Sequence, residues 1–141
     1  MDETLKRMYA NRRARLAKQL REDEVVVIPT APNRSRNRDS EFPYRHDSYF
    51  YYLTGFTEPH AWLILSADGR STLFCQPKDL SREIWYGIRL GPEAAVAALG
   101  VHEAHSVTEL DKLLPSLLEN QTTVWFPFAT HEGLSAQVEG W

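Results

Sequence analysis

The chain has 141 residues, 43% of them hydrophobic and 25% charged, with a formal net charge of −3. This is the length of one domain with a core that needs no disulfide or metal staple, and the slight acid excess excludes a global attraction to nucleic acid or an anionic membrane. The single cysteine, Cys75, excludes an internal disulfide and fits a reducing compartment.

Residues Thr4 to Leu20 repeat apolar positions at helical steps: Leu5, Met8 or Tyr9, Leu16 and Leu20, with Arg12 on the same stripe. Lys6, Arg7, Arg13, Arg15, Lys18 and Gln19 fill the other faces and read as a solvated helix surface. Glu24-Val-Val-Val-Ile-Pro is a β-branched run closed by proline, the pattern of a strand buried on both faces. Ala31 to Arg38 is a polar loop carrying Arg34, Arg36 and Arg38, whose charges meet no identifiable partner in the sequence.

From Asp39 to Pro59 the chain is dense in aromatic rings and charged groups, with two prolines and a glycine. Its aromatic residues Tyr44, Phe50, Tyr52 and Phe56 read as packing that fastens a short helix and its following turn to a sheet. Ala61–Leu65 and Ser71–Cys75 then form a hairpin, with Asp68-Gly69 at a turn that needs positive φ. Helices are expected over Leu80–Arg89 and Pro92–Leu99, punctuated by Gly91-Pro92, with Asp79 or Ser81 capping the first. A brief strand over Ala104–Val107 precedes an amphipathic helix over Thr108–Leu118, with Ser106 and Glu109 as a capping box. Thr122–Phe126 reads as another buried strand, and a helix begins at Thr130. Strands alternating with helices after a hairpin predict an α/β domain with a mixed sheet covered on both faces.

Catalytic signatures are absent. There is no phosphate-binding glycine loop, dinucleotide fingerprint or Gly-x-Ser-x-Gly elbow. His102-Glu-Ala-His105 has the wrong interval for two ligands on one helix face, so surface imidazoles are the simpler reading. His46-Asp47 is a candidate acid–base pair without an identified nucleophile, and a free-standing hydrolase built on it is one alternative. Cys75 lies in the apolar run Ser71-Thr-Leu-Phe-Cys and reads as a buried, inert thiol. The arginines of the 34–38 loop beside aromatic residues are the chain's one hint of nucleic-acid binding, offset by Asp39 and Glu41, and no nucleic-acid partner is expected. The first residues lack the apolar stretch of a secretory signal and no run spans a bilayer, so a cytoplasmic protein without membrane contact is expected.

Two segments carry a resemblance. Tyr44, Arg45, Ser48, Phe50, Tyr52, Thr54, Gly55, Phe56, Glu58 and Pro59 match a run of the amino-terminal domain of Xaa-Pro aminopeptidases, in the prolidase and creatinase family. Glu83, Ile84, Trp85, Gly87, Arg89 and Gly91 resemble a second run of the same domain. The resemblance implies a creatinase-like fold with a ribonuclease H-like motif and no catalytic or metal-binding residue in this chain. It implies a parent hydrolase that removes the first residue from peptides with proline second, using two divalent ions, expected to be manganese, in a carboxy-terminal domain beyond Trp141. The whole chain, 1–141, would then be one non-catalytic domain, ending before the family domain's last helix and strand. Its expected role is to mediate homo-oligomerisation and narrow access to the active site.

On the residues alone, Trp85 reads equally as core or contact. The resemblance favours contact at the mouth of a neighbouring subunit's cleft, with Tyr86 beside it and Asp39 and Arg45 helping to shape the cleft or the subunit boundary. A catalytically inert module that binds peptides or proteins through the same fold is the alternative.

Overall fold

The computed structural model describes residues 2–30, 48–79, 89–119 and 121–126. Its centre is a five-stranded sheet built from β1 (Glu24–Pro29), β2 (Trp62–Ser66), β3 (Ser71–Cys75), β4 (Glu103–Ser106) and β5 (Thr123–Trp125), in the order β4-β3-β2-β1-β5. β2 runs antiparallel to both neighbours, while β1–β5 and β3–β4 are parallel pairs. The carboxyl ends of β1, β3, β4 and β5 therefore share one end of the sheet with the start of β2. The mixed sheet agrees with the sequence reading.

Side-chain alternation sends each strand into two cores. Val26, Ile28, Leu63, Leu65, Leu73 and Cys75 face α1 (Glu3–Ala17), α2 (Ser48–Thr54) and α3 (Pro92–Leu99). Val25, Val27, Trp62, Ile64 and Phe74 face α4 (Leu110–Leu118), through Leu110 and Leu114. The hairpin turn is as expected: Gly69 has φ 91, and Asp68 Oδ1 accepts from the Arg70 N–H at 3.0 Å.

Several local expectations need correction. α1 is capped by Asp2, whose Oδ1 accepts from the Leu5 N–H at 2.8 Å, and it ends at Ala17 rather than Leu20. Its buried line is Tyr9, Arg13 and Ala17, one residue in four, whereas Leu5 is 43% exposed. Arg13, read as a solvated charge, is almost fully buried. Its guanidinium donates to the Leu53 carbonyl at 2.9 Å and the Leu99 carbonyl at 3.1 Å. Those carbonyls sit in the last turns of α2 and α3, where helix C-termini concentrate partial negative charge. Burial holds the Arg13 pKa below the ordinary arginine value.

At α4 the chain enters through a 3₁₀ turn, Val107–Glu109, and Ser106 Oγ accepts from the Thr108 N–H at 3.2 Å. The cap is thus a tight Ser–Thr turn, with the Ser106 and Thr108 hydroxyls hydrogen-bonded to each other, rather than the expected box with Glu109. β5 is less buried than its β-branched composition suggests, with Trp125 54% exposed and its indole N–H donating to Glu24 Oε2. The expected helix over Leu80–Arg89, the arginine loop and the helix from Thr130 fall on residues outside those described, apart from Arg89 itself.

Candidate functional site

In open α/β sheets, ligands and partners gather outside the carboxyl ends of the parallel strands. At that end of this sheet the two sequence motifs meet. The first motif leaves α2 through a tight turn: Thr54 Oγ1 donates to the Phe50 carbonyl at 2.8 Å and accepts from the Phe56 N–H at 3.0 Å. Phe50 and Phe56 are buried, their rings 6.4 Å apart, so this part of the aromatic run is packing, as read from sequence. Tyr52 departs from that reading. It is 51% exposed, and the Arg12 guanidinium lies 4.2 Å from its ring centre and donates to its carbonyl.

The turn delivers Glu58 and Pro59 to the start of β2. Glu58 Oε2 accepts from the Leu90 N–H at 2.8 Å, tying the end of the first motif to the end of the second. Gln76, just past β3, donates its side-chain amide to the Pro59 carbonyl at 3.0 Å. Lys78 Nζ donates to the Arg89 carbonyl at 3.1 Å, so residues 78 and 89 stand side by side. Gly91 closes this base. At φ 80 its backbone suits glycine, and a Cβ there would lie 2.9 Å from the Lys78 Cβ. Between Pro59 and β2, His60 adopts φ 58, an uncommon conformation for a side-chain-bearing residue.

Desolvation, reinforced by the nearby Glu58 carboxylate, pushes the Cys75 thiol up to about 12. Cys75 is fully buried and remains a neutral thiol, in agreement with the sequence reading.

Asp39, Arg45, Trp85 and Tyr86, the residues singled out for the cleft or the subunit boundary, lie outside the described residues, as do His46-Asp47. The other histidine pair is resolved into separate contacts at the opposite end of the sheet and along β4. His102 Nδ1 accepts from the Ser71 N–H at 3.1 Å, and His105 packs on Phe74 with ring centres 5.6 Å apart. Among the described residues no three His, Cys, Asp or Glu side chains come together to hold a metal. These residues do not fit a metal centre. Among them, too, no helix is long and apolar enough to cross a membrane.

Sequence reasoning missed two structural anchors. Glu58 and Leu90 are 32 positions apart, and nothing in either motif says that a carboxylate of one takes a main-chain donor of the other. Arg13 was missed because its neighbours on the helix are also basic. The only available signal was its four-residue spacing from Tyr9 and Ala17.

A mixed sheet with helices on both faces, and two motifs clasped at the carboxyl ends of its parallel strands, defines an α/β domain of the creatinase-like type. The chain belongs to the family described as the aminopeptidase P N-terminal domain, whose model matches residues 9–125. It is 39% identical over 129 residues to an Xaa-Pro aminopeptidase of Escherichia coli, covering 89% of this chain and 29% of that protein. The Xaa-Pro aminopeptidase of Haemophilus influenzae is 37% identical over 123 residues, 85% of this chain and 29% of its own length. Among solved structures, Pseudomonas aeruginosa aminopeptidase PepP superimposes with a TM-score of 0.91 at 36% identity, covering 96% of this chain and 31% of that one. The chain thus spans less than a third of the length of these relatives.

Proposed function

We propose that this chain is the non-catalytic amino-terminal domain of a longer Xaa-Pro aminopeptidase, and that it acts in assembly and in restricting access to the active site. The parent enzyme removes the first residue from peptides with proline second. Its two divalent ions, which we take to be manganese, belong to the part of the protein outside this chain and supply an activated hydroxide there. The domain's own contribution is shape. It narrows the opening so that extended peptides enter and folded proteins do not, and in a homo-oligomer it presents Trp85, flanked by Tyr86, to a neighbouring subunit, with Asp39 and Arg45 shaping the same boundary. We take the parent enzyme to be cytoplasmic, a location with which the lone cysteine is compatible.

The observation that carries this reading is the family match over residues 9–125, with relatives that are Xaa-Pro aminopeptidases. It is joined by the intact Glu83-Ile84-Trp85 segment, which argues for an enzyme lineage because a pure binding module has less need of it. The test has two arms. The 141-residue chain, assayed on an Xaa-Pro-Xaa peptide with and without manganese, is expected to show no turnover. Metal-dependent turnover by the chain alone would defeat the assignment. In the full-length enzyme, Trp85→Ala is expected to weaken cleavage of longer peptides with metal content unchanged. Loss of folding instead would place that ring in the core.

A further inference from the structure

Seven of the chain's 16 lysines and arginines fall between residues 4 and 21, and no aspartate or glutamate does. That stretch carries +7 in a chain of net charge −3, which leaves −10 on the rest. One of the seven, Arg13, is buried in the seam with α2 and α3, while Arg7, Arg15, Lys18 and Arg21 are exposed. Such a separation of charge gives the domain a basic side and an acidic remainder.

A solvated helix face, the reading from sequence, needs only the cations. The structure puts apolar surface beside them. Leu5 at 43%, Tyr51 at 37% and Tyr52 at 51% are three of the five large hydrophobic side chains exposed among the described residues. They adjoin one another along the seam of α1 and α2. Leu5 stands one turn before Tyr9, whose ring meets that of Tyr51 edge-on with centres 6.1 Å apart. The Arg12 guanidinium lies 5.2 Å from the centre of the Tyr9 ring and 4.2 Å from that of Tyr52. It also donates to the Tyr52 carbonyl at 3.1 Å and to Met8 Sδ at 3.5 Å. Arg12 is thus held in one geometry before any partner arrives, so binding costs it little rotamer freedom. Arginine, tyrosine and methionine are the side chains that protein–protein contacts concentrate, whereas lysine and glutamate are depleted there.

Charge selects the occupant. Nucleic acid or an anionic membrane would meet the cations but be repelled by the −10 on the remainder. A second copy of the chain brings that same acidic remainder as the complement. Two α1 helices face to face would oppose like charges, so the patch has to meet a different part of the second copy. Twofold symmetry then makes the contact twice.

We propose that the seam of α1 and α2, centred on Arg12 and Tyr52, is the surface through which this domain binds the acidic part of a second copy. The inference rests on the homo-oligomer proposed above and names its surface.

The experiment measures subunit association of the full-length enzyme by sedimentation over a range of protein and salt concentrations. Arg12→Glu and Tyr52→Ala are each expected to raise the dissociation constant about thirtyfold. Arg7→Glu combined with Arg15→Glu, both at exposed positions, should raise it about tenfold, and high salt should weaken association of the parent. A photoreactive residue in place of Asn11, exposed on the same helix, should crosslink to the neighbouring subunit outside its α1.

An oligomer indifferent to all of these changes and to salt, or crosslinking only to the neighbour's α1, would overturn this inference and leave the proposed assembly standing. A parent enzyme that is monomeric at every concentration would overturn the proposed assembly itself. Should Arg12→Glu fail to fold, the Arg7→Glu, Arg15→Glu variant and the crosslink decide. Binding of a labelled single-stranded oligonucleotide or of phosphatidylserine vesicles, lost in the same variants while the oligomer survives, would give the patch to that partner and equally sink the inference.

Discussion

On one face of the sheet α1, α2 and α3 meet over Leu63, Leu73 and Phe50, and the seam between them is closed by a buried cation. On the other face α4 is the one helix among the described residues to lie over Ile64 and Phe74, held by Leu110 and Leu114 with a half-buried rim of Leu113 and Leu117. The first face has to solve a problem that the second does not. Two helix C-termini, those of α2 and α3, point their last carbonyls into a shared dry space, and Arg13 satisfies one carbonyl from each. A single amphipathic helix leaves its ends in solvent and needs only its apolar stripe. Covering a sheet with several helices therefore brings polar chain ends inside, and this chain answers with one long side chain from a third helix.

The comparison predicts its largest effect at Phe50, which is fully buried where α2 meets the sheet. Phe50→Ala is expected to cost about 4 kcal/mol, because three mutually fastened helices cannot collapse into the void. Denaturant unfolding of the 141-residue chain measures it. A loss under about 1 kcal/mol would show that the three helices are loosely joined. Leu114→Ala, equally buried under α4, is expected to cost less, about 2 to 3 kcal/mol, since a lone helix can settle inward.

Between those two values stands the test of the seam. Arg13→Met keeps most of the side-chain volume and removes both hydrogen bonds, leaving the Leu53 and Leu99 carbonyls without their donor, for an expected loss of about 3 kcal/mol. Its neighbour provides the control. Arg12 lies at the surface between the Tyr9 and Tyr52 rings, 5.2 and 4.2 Å from their centres, and Arg12→Met should cost under ~1 kcal/mol. Equal losses at the two positions would refute the claim that Arg13 closes the seam.

How far each face could be read from sequence follows from the same contrast. The α4 face was legible, because Leu110, Leu113, Leu114, Leu117 and Leu118 repeat with the helical period and need no knowledge of other segments. So were β1 and the hairpin, where β-branched runs and Asp68-Gly69 state their conformation locally. The three-helix face was legible only in part. Leu5 looked like an inward residue and is exposed, while Arg13 looked like solvent and is buried, because the choice of face on α1 is made by α2 and α3, 40 and 86 residues away in sequence at the Arg13 contacts. Site legibility divides likewise. The two motifs announced themselves by residue type, but the Glu58–Leu90 join depends on the sheet bringing distant loops to one end.

The smallest effect belongs to the exposed end of β4, the last strand of the described sheet, and it carries a pH dependence. The Glu103 carboxylate pairs with the Arg70 guanidinium across β3–β4, and this hydrogen bond, with a minor contribution from His105, holds the Glu103 pKa below the ordinary glutamate value. A depressed carboxyl pKa means that the folded state binds this proton less readily than the unfolded chain. Its contribution to stability is therefore present above the unfolded value, about 4.3, and is lost as pH falls through the lower folded value. The side chains of Arg70 and Glu103 are 51% and 36% exposed, so solvent screening reduces the pair to a few tenths of a kcal/mol. Glu103→Gln should accordingly lower the unfolding midpoint slightly at pH 7, and the difference from the parent chain should shrink as pH falls below the unfolded value, vanish below the lower folded value, and diminish in high salt. A difference that persists at low pH would mean that Glu103 stabilises by packing on β3 rather than by charge. The edge would then obey the same rule as the α4 face.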